Sequence, residues 1–192
     1  MRYAHKSLIE IYTCLSKRCA FHTWYYNYGT WFRTPYNCDE AALSSGYCLF
    51  HDQSYWKDHP TTLNERLIQK IEAAIASKAV LFCIGYNLPE IKISAKFEEL
   101  VYFHFAKFRD HAYFKGAIFD VVSFEGARFE RTAVFQDAIF SKADFKQARF
   151  GEEANFQGAV FGEGDFSQSK FLGWANFKDV VLGKGAYPSS EI

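Results

Sequence analysis

From residue 103 onward the chain places one large apolar residue every five positions, with mostly polar residues between. The series is Phe103, Phe108, Phe114, Phe119, Phe124, Phe129, Phe135, Phe140, Phe145, Phe150, Phe156, Phe161, Phe166, Phe171 and Phe177, and Leu182 completes it. The step is six at 108–114, 129–135, 150–156 and 171–177, so the true period is 5+5+5+6, or 21 residues. A small residue, most often Ala, stands two places before most of these apolar residues, with Val101, Val122 and Val180 the larger exceptions; Ala127, Ala133, Ala138, Ala143 and Ala148 are examples. A period of five fits neither a helix nor a plain strand. It fits a chain that turns a corner every five residues, so that four sides close a square coil and coils stack at about 4.8 Å. Large and small inward residues then alternate because the interior is narrow. Phe103, Phe124, Phe145 and Phe166 fall in one column, and each of the other three sides has its own. The sixth residue is a fixed addition at one corner, near His111, Thr132, Glu153 and Trp174.

The fives AKFRD, AIFDV, ARFER, AIFSK, ADFKQ, ARFGE and ANFQG resemble the pentapeptide-repeat proteins, whose unit is a small residue, a polar residue, Leu or Phe, and two polar or small residues. The resemblance covers about 80 residues and implies a mainly β fold, a right-handed quadrilateral β-helix with the Phe inside. It also implies two kinds of partner. Some members mimic DNA by shape and negative charge and bind type II topoisomerases, and tail-to-tail dimers occur.

The ladder extends upstream. Phe82 precedes Phe103 by 21 and Ile93 precedes Phe114 by 21, which makes residues 80–102 a degenerate first coil. Pro89 suits a corner there, and Cys83 is expected to face solvent or a packed cap. Before it, residues 61–79 predict a helix with an apolar face of Leu63, Leu67, Ile68, Ile71 and Ile75. Thr62 and Glu65, after Pro60, have the spacing of a capping box. The open end of a solenoid exposes strand edges and apolar interior, so the expected role of this helix is to cover that end.

Residues 1–60 differ in kind. They hold four of the five cysteines and much of the Tyr and Trp. RCAFH and YCLFH repeat Cys-x-x-His at Cys19/His22 and Cys48/His51, and Cys38 precedes Cys48 by ten. The run CDEAALSSGYCLFH is similar to the tail of small zinc-binding motifs in which a Cys, a Gly-containing loop and a final Cys-x-x-His hold one ion. The expected ligands are Cys19, Cys38, Cys48 and His51, with Cys14 and His22 in reserve, and the expected cofactor is a structural zinc. The other reading packs these residues as free thiols and imidazoles among the aromatics.

Composition narrows the function. Among the 192 residues 22 acidic side chains balance 22 basic ones, and the segment 101–182 is nearly neutral at eleven against ten. A DNA mimic that inhibits a topoisomerase needs an acidic rod, and a nucleic-acid binder a basic one. The aromatic stretch WYYNYGTWFR, 24–33, has stacking groups but few cations for a nucleic acid. No apolar run reaches membrane-spanning length. The N-terminus carries no recognisable export signal, so a cytoplasmic protein without disulfides is expected. No phosphate loop, nucleophile elbow or metalloprotease helix occurs, and His104 and His111, near Asp110 and Tyr113, converge on nothing further. The expected function is a non-catalytic interaction scaffold of four segments: 1–60, 61–79, 80–182 and a tail, 183–192. The last coil, with Phe171, Trp174, Phe177 and Leu182, is the expected surface of a homodimer.

Overall fold

The structure is a computed structural model that describes residues 18–183. Two compact units meet in sequence between Trp56 and Lys57. In the first, β1 (His22–Asn27) and β2 (Phe32–Asn37) form an antiparallel hairpin in the register His22↔Asn37 to Asn27↔Phe32. The Asn27 side chain closes the turn by accepting the N–H of Gly29 at 2.9 Å, and the N–H of Trp31 bonds the Asn27 carbonyl at 2.7 Å. Pro35 is tolerated because each strand of a two-stranded sheet has a free edge. A single helical turn, α1 (Tyr55–Asp58), follows.

The second unit begins within α1 and continues into α2 (Pro60–Ser77). Pro60 occupies the first turn, where a missing N–H is harmless. His59 is the N-cap and makes no side-chain cap bond, so the Thr62/Glu65 capping box does not form. At the other end the N–H groups of Lys78 and Ala79 bond the Ile75 and Ala74 carbonyls, with Lys78 left-handed at φ 49°. This is a Schellman stop with Lys in the place usual for Gly. Leu63, Leu67 and Ile71 are buried, whereas Ile68 and Ile75 are exposed. The covering face is therefore one stripe, narrower than the apolar pattern. It packs on the strands Leu81–Phe82 and Asn87–Leu88, and the Asn64 side chain donates to the Glu90 carbonyl at 2.8 Å, which satisfies part of the open edge.

Beyond the helix the chain is a β-solenoid of about five coils with turns of about 21 residues. Every pairing is parallel and joins one coil to the next: Phe119↔Phe140, Phe129↔Phe150 and Ala133↔Ala154 are examples. The rings stack in four columns. Phe103, Phe124, Phe145 and Phe166 lie 5.1, 4.9 and 4.8 Å apart, and Phe108, Phe129, Phe150 and Phe171 lie 4.5, 4.9 and 4.7 Å apart. Phe114, Phe135, Phe156 and Phe177 follow at 5.0, 4.9 and 5.0 Å. Phe119, Phe140 and Phe161 follow at 5.6 and 4.8 Å, and Leu182 pairs with Phe161. Between columns the rings meet edge to face, as Phe135 and Phe145 do at 83°. Phe103 through Phe166 are buried, and so are the alanines two places before most of them.

The four corners are of three kinds. After the Phe103 and Phe114 columns the chain makes a tight turn, such as Ala148 N–H to the Phe145 carbonyl at 2.9 Å. The third residue of each turn is left-handed, and Gly126 and Gly158 supply it without strain where Asp137, Gln147 and Gln168 must tolerate it. The residue before the Phe often locks the turn through its side chain: Asp144 accepts from the N–H of Lys146 at 2.7 Å, and Asn155 from that of Gln157 at 3.0 Å. After the Phe119 column the corner is a bend inside one continuous strand, Ile118–Ser123, Ile139–Asp144 or Val160–Asp165. Two sides therefore share a sheet, and three parallel sheets rather than four build the rod. The fourth corner, after Phe108, holds the extra residue. Its side chains form an ion-pair ridge, Arg109 to Glu130 and Arg131 to Glu152 and Asp110.

The first coil departs from the expected register. Phe82 pairs with Tyr102, not with Phe103, and their rings stack at 5.3 Å. The place below Phe103 belongs to Cys83, which is fully buried rather than facing solvent. Leu88 lies below Phe108, and the corner at Pro89 lacks the extra residue, which returns Ile93 to its place below Phe114. Phe97 then completes the coil by stacking under Phe119 at 4.9 Å.

Phe145 touches rings above, below and on two sides. Phe145→Ala is expected to cost about 3–5 kcal/mol in urea unfolding. Phe177→Ala, in the last coil with its ring 43% exposed, should cost less than half as much. Equal losses would contradict a closed aromatic interior.

Candidate metal centre

The hairpin explains how distant cysteines meet. Because His22 pairs with Asn37, the segments just before β1 and just after β2 are also neighbours, and the Cys38 N–H bonds the Phe21 carbonyl at 3.1 Å. The bridge between Arg18 and Ala41 and the bond from Cys19 N–H to the Glu40 carbonyl continue the pairing outward. Cys19 and Cys38 thus flank the open end of the hairpin. Cys48 and His51 come from a helical turn in which the His51 N–H bonds the Cys48 carbonyl at 3.0 Å. Asp52, next in the chain, accepts from the N–H of Ser54 and of Tyr55, and hydrogen bonds, that of Ser45 foremost, hold its carboxyl at about 2.

The result is a buried Cys3His group. The ligand atoms of Cys19, Cys38, Cys48 and His51 all lie within 4.8 Å of one another. Cys38 Sγ and Cys48 Sγ are 3.8 Å apart, and His51 Nδ1 is 3.4 Å from Cys19 Sγ and 3.2 Å from Cys48 Sγ. The imidazole is fixed by the Phe21 ring, stacked on it at 3.8 Å and 8°. The Cys48 N–H points at Cys19 Sγ from 3.2 Å, a donor that favours thiolate. Crowding separates the thiols. The hydrogen bond from Cys48 is the main reason that Cys38 is lowered, and the same contact, with burial, pushes Cys48 up. Burial pushes Cys19 up. Three thiols and an imidazole converging from separate segments can hold a metal ion.

The four residues that converge are those named from the sequence as candidate ligands. Of the reserves, Cys14 lies outside the described residues. His22 is exposed at the start of β1, with Nδ1 3.1 Å from the Ala20 carbonyl oxygen, and is not in the group. The WYYNYGTWFR stretch is the hairpin itself. Trp24, Trp31 and Phe32 are exposed, and Tyr26, Tyr28 and Trp31 meet edge to face. On the rod, His111 Nε2 is 3.7 Å from Asp110, while His104 is buried, with Nε2 3.2 Å from Glu125 and 3.4 Å from Ser123 Oγ. Sequence reasoning missed one feature altogether. Lys107, Arg128, Arg149 and Lys170, each just before a Phe of the second column, stand in a single outward file.

Fold and site define a β-solenoid protein that carries a small Cys3His module. The model of the pentapeptide-repeat family, in nine copies, matches residues 93–139 and again 135–181. This part of the chain belongs to that family. Comparison with the curated proteins finds none similar to this chain, and comparison with solved structures finds none either. No helix among the described residues is long and apolar enough to cross a membrane.

Metal content of the purified protein separates the two histidines. It should fall to background in Cys38→Ser and His51→Ala and stay at the parent level in His22→Ala. Retention in both ligand variants would dismiss the Cys3His group as a metal centre.

Proposed function

We propose that the protein is a non-catalytic contact scaffold, a solenoid rod that offers outward side chains to protein partners, with a zinc ion holding its Cys3His module together. The observation that carries the scaffold reading is the register. Outward residues of successive coils face each other pair by pair, as in Arg128↔Arg149, Lys142↔Glu163 and Asn155↔Asn176, and so form flat, rigid arrays. Such arrays suit extended contact, as the surfaces of stacked repeats generally do.

The donor set favours zinc. A tetrahedral ion with Zn–S near 2.3 Å needs sulfurs about 3.8 Å apart, and Cys38 Sγ and Cys48 Sγ are 3.8 Å apart. Zinc held by four protein ligands has no open position, which argues for a structural role. It would tie the ends of the hairpin to the Cys48–His51 turn in a segment with few aliphatic side chains of its own. Metal analysis should return one zinc per chain. A strong chelator should shift the fluorescence of Trp24 and Trp31 while the far-ultraviolet signal of the solenoid persists. Iron in place of zinc, or an unchanged emission after metal removal, would refute the structural-zinc reading.

The terminal coil supports a second copy of the chain as one partner. Leu172, Trp174, Phe177, Val181 and Leu182 are all exposed there, and Trp174 is 88% exposed. Together with the half-buried Phe171 they make an apolar end. Light scattering should give a dimer that Trp174→Lys converts to a monomer; a monomeric parent at high concentration ends this reading. The topoisomerase mimic finds less support, because a file of four cations along one side is the reverse of a duplex-like surface.

A further inference from the structure

The neutral total of the rod conceals an uneven distribution. Lys107, Arg128, Arg149 and Lys170 are aligned in one file by successive parallel pairings, with Asn87 at its first position. Arg128, Arg149 and Lys170 are exposed, and Lys107 is half-buried. Three coil intervals at strand spacing make the file about 14 Å long. Like charges directly opposite in a sheet repel. Several other such neighbours on the rod are of opposite sign, Arg109 with Glu130, Arg131 with Glu152 and Lys142 with Glu163 at 2.9 Å, although Asp144 faces Asp165. Among the described residues no carboxylate forms an ion pair with any of the four. The repulsion is felt at Lys107, whose ammonium is pushed down first by burial and then by the charges of Arg109 and Arg128.

We propose that this file is the docking surface for an acidic peptide segment lying extended along the rod. The strip is narrow. Glu130 and Glu152, paired with Arg109 and Arg131, and Glu153 border it at one corner, and Glu125, Asp144 and Asp165 lie past the turn on the other side. A broad polyanion such as duplex DNA or an anionic membrane would meet these carboxylates, and a single extended chain would not. Alternate side chains of an extended peptide repeat at about 6.8 Å, so three acidic residues at every second position span about 13.6 Å, close to the length of the file. Arg128 and Arg149 at its centre can each grip a carboxylate with two parallel N–H bonds. A single-stranded nucleic acid fits less well. Its bases need stacking platforms, and the neighbouring file is Phe105, Gly126, Gln147 and Gln168, with one aromatic in four and the two Gln side chains bonded to each other at 2.9 Å.

The proposal rests on the reading of the rod as a contact surface and names its partner's chemistry. It is tested by fluorescence anisotropy with the full chain and a labelled peptide of alternating Glu and Thr. Saturable binding that weakens with salt is expected. Joint Arg128→Gln and Arg149→Gln replacement should weaken it about tenfold, the size of one charged hydrogen-bonded contact. Lys142→Gln, on a different face and paired with Glu163, should leave it unchanged. The double variant should melt at or above the temperature of the parent, since repulsion is relieved, and this separates lost binding from lost fold. Absence of saturable binding, binding undiminished in the double variant, or displacement of the peptide by a lower concentration of single-stranded oligonucleotide of equal charge would each overturn the proposal. A host partner captured equally by parent and double variant keeps the scaffold reading and sinks this one. Peptide binding without any captured partner does the opposite.

Discussion

Parallel strands set the distance from coil to coil, and the stacked rings accept that distance. Successive Phe rings in a column lie 4.5–5.6 Å apart, at tilts of 0–13°. The strand spacing of a parallel sheet is about 4.8 Å, which is also a workable offset-stacking distance. Backbone hydrogen bonds and aromatic contacts are therefore satisfied by one geometry. The interior has room for four rings per coil, so the inward position two residues earlier must be small, and Ala106, Ala117, Ala127 and Ala138 have no exposed surface. Three sites per five remain outside, released from packing. They supply the turn-locking Asp144 and Asn155, the ion pairs of the ridge and the cationic file.

The period was legible because backbone geometry repeats it, and it failed where the backbone stops repeating. The first coil is one residue shorter at the Pro89 corner, and Ile93 to Phe97 is a step of four followed by a step of six to Phe103. A fixed count of 21 backward from Phe103 therefore falls on Phe82, one residue short of the interior position held by Cys83. Phe97 kept no step of five and stayed invisible, although it stacks as the others do. The cause is local. This coil rests on α2 instead of on another coil, so it need not repeat the coil above. For the same reason the helix buries Leu63, Leu67 and Ile71 in one stripe: a flat coil end touches one line of a cylinder, and Ile68 and Ile75 lie off that line.

The Cys3His group was legible by residue type and half legible by spacing. Cys38 and the Cys48-x-x-His51 pair form a recognisable tail, whereas the nineteen residues from Cys19 to Cys38 look too long for one site. That gap is the length of the β1–β2 hairpin, which returns the chain to its starting point. The two Cys-x-x-His sequences are alike on paper and differ in backbone. Between Cys48 and His51 the chain makes a helical turn, which brings the side chains to 3.2 Å. Between Cys19 and His22 it extends into a strand, and the His22 ring stays by the Ala20 carbonyl. A spacing of three places two ligands on one ion when the intervening backbone is turned, and no sequence motif by itself records that.

The cationic file escaped the sequence reading for a different reason. Net charge sums over the rod, and eleven acids against ten bases read as nothing. A solenoid does not average its charges, because a residue type preferred at one site of the repeat recurs at the same height around the coil and adds to the same file. The column Lys107, Arg128, Arg149 and Lys170 is four uses of one site, and Arg131 with Glu152 is the same rule applied with alternating sign. Stability favours alternation, since opposite charges a coil apart attract and like charges repel. Where a file keeps one sign through four coils, the fold loses a little stability relative to the alternating pattern. The interior rings can carry that loss, because each buried Phe contributes on the order of 1.5–3 kcal/mol, more than an exposed charge contact of about 0–1 kcal/mol. The aromatic core is what leaves the surface free to depart from its own electrostatic optimum, and that freedom is what a contact surface requires.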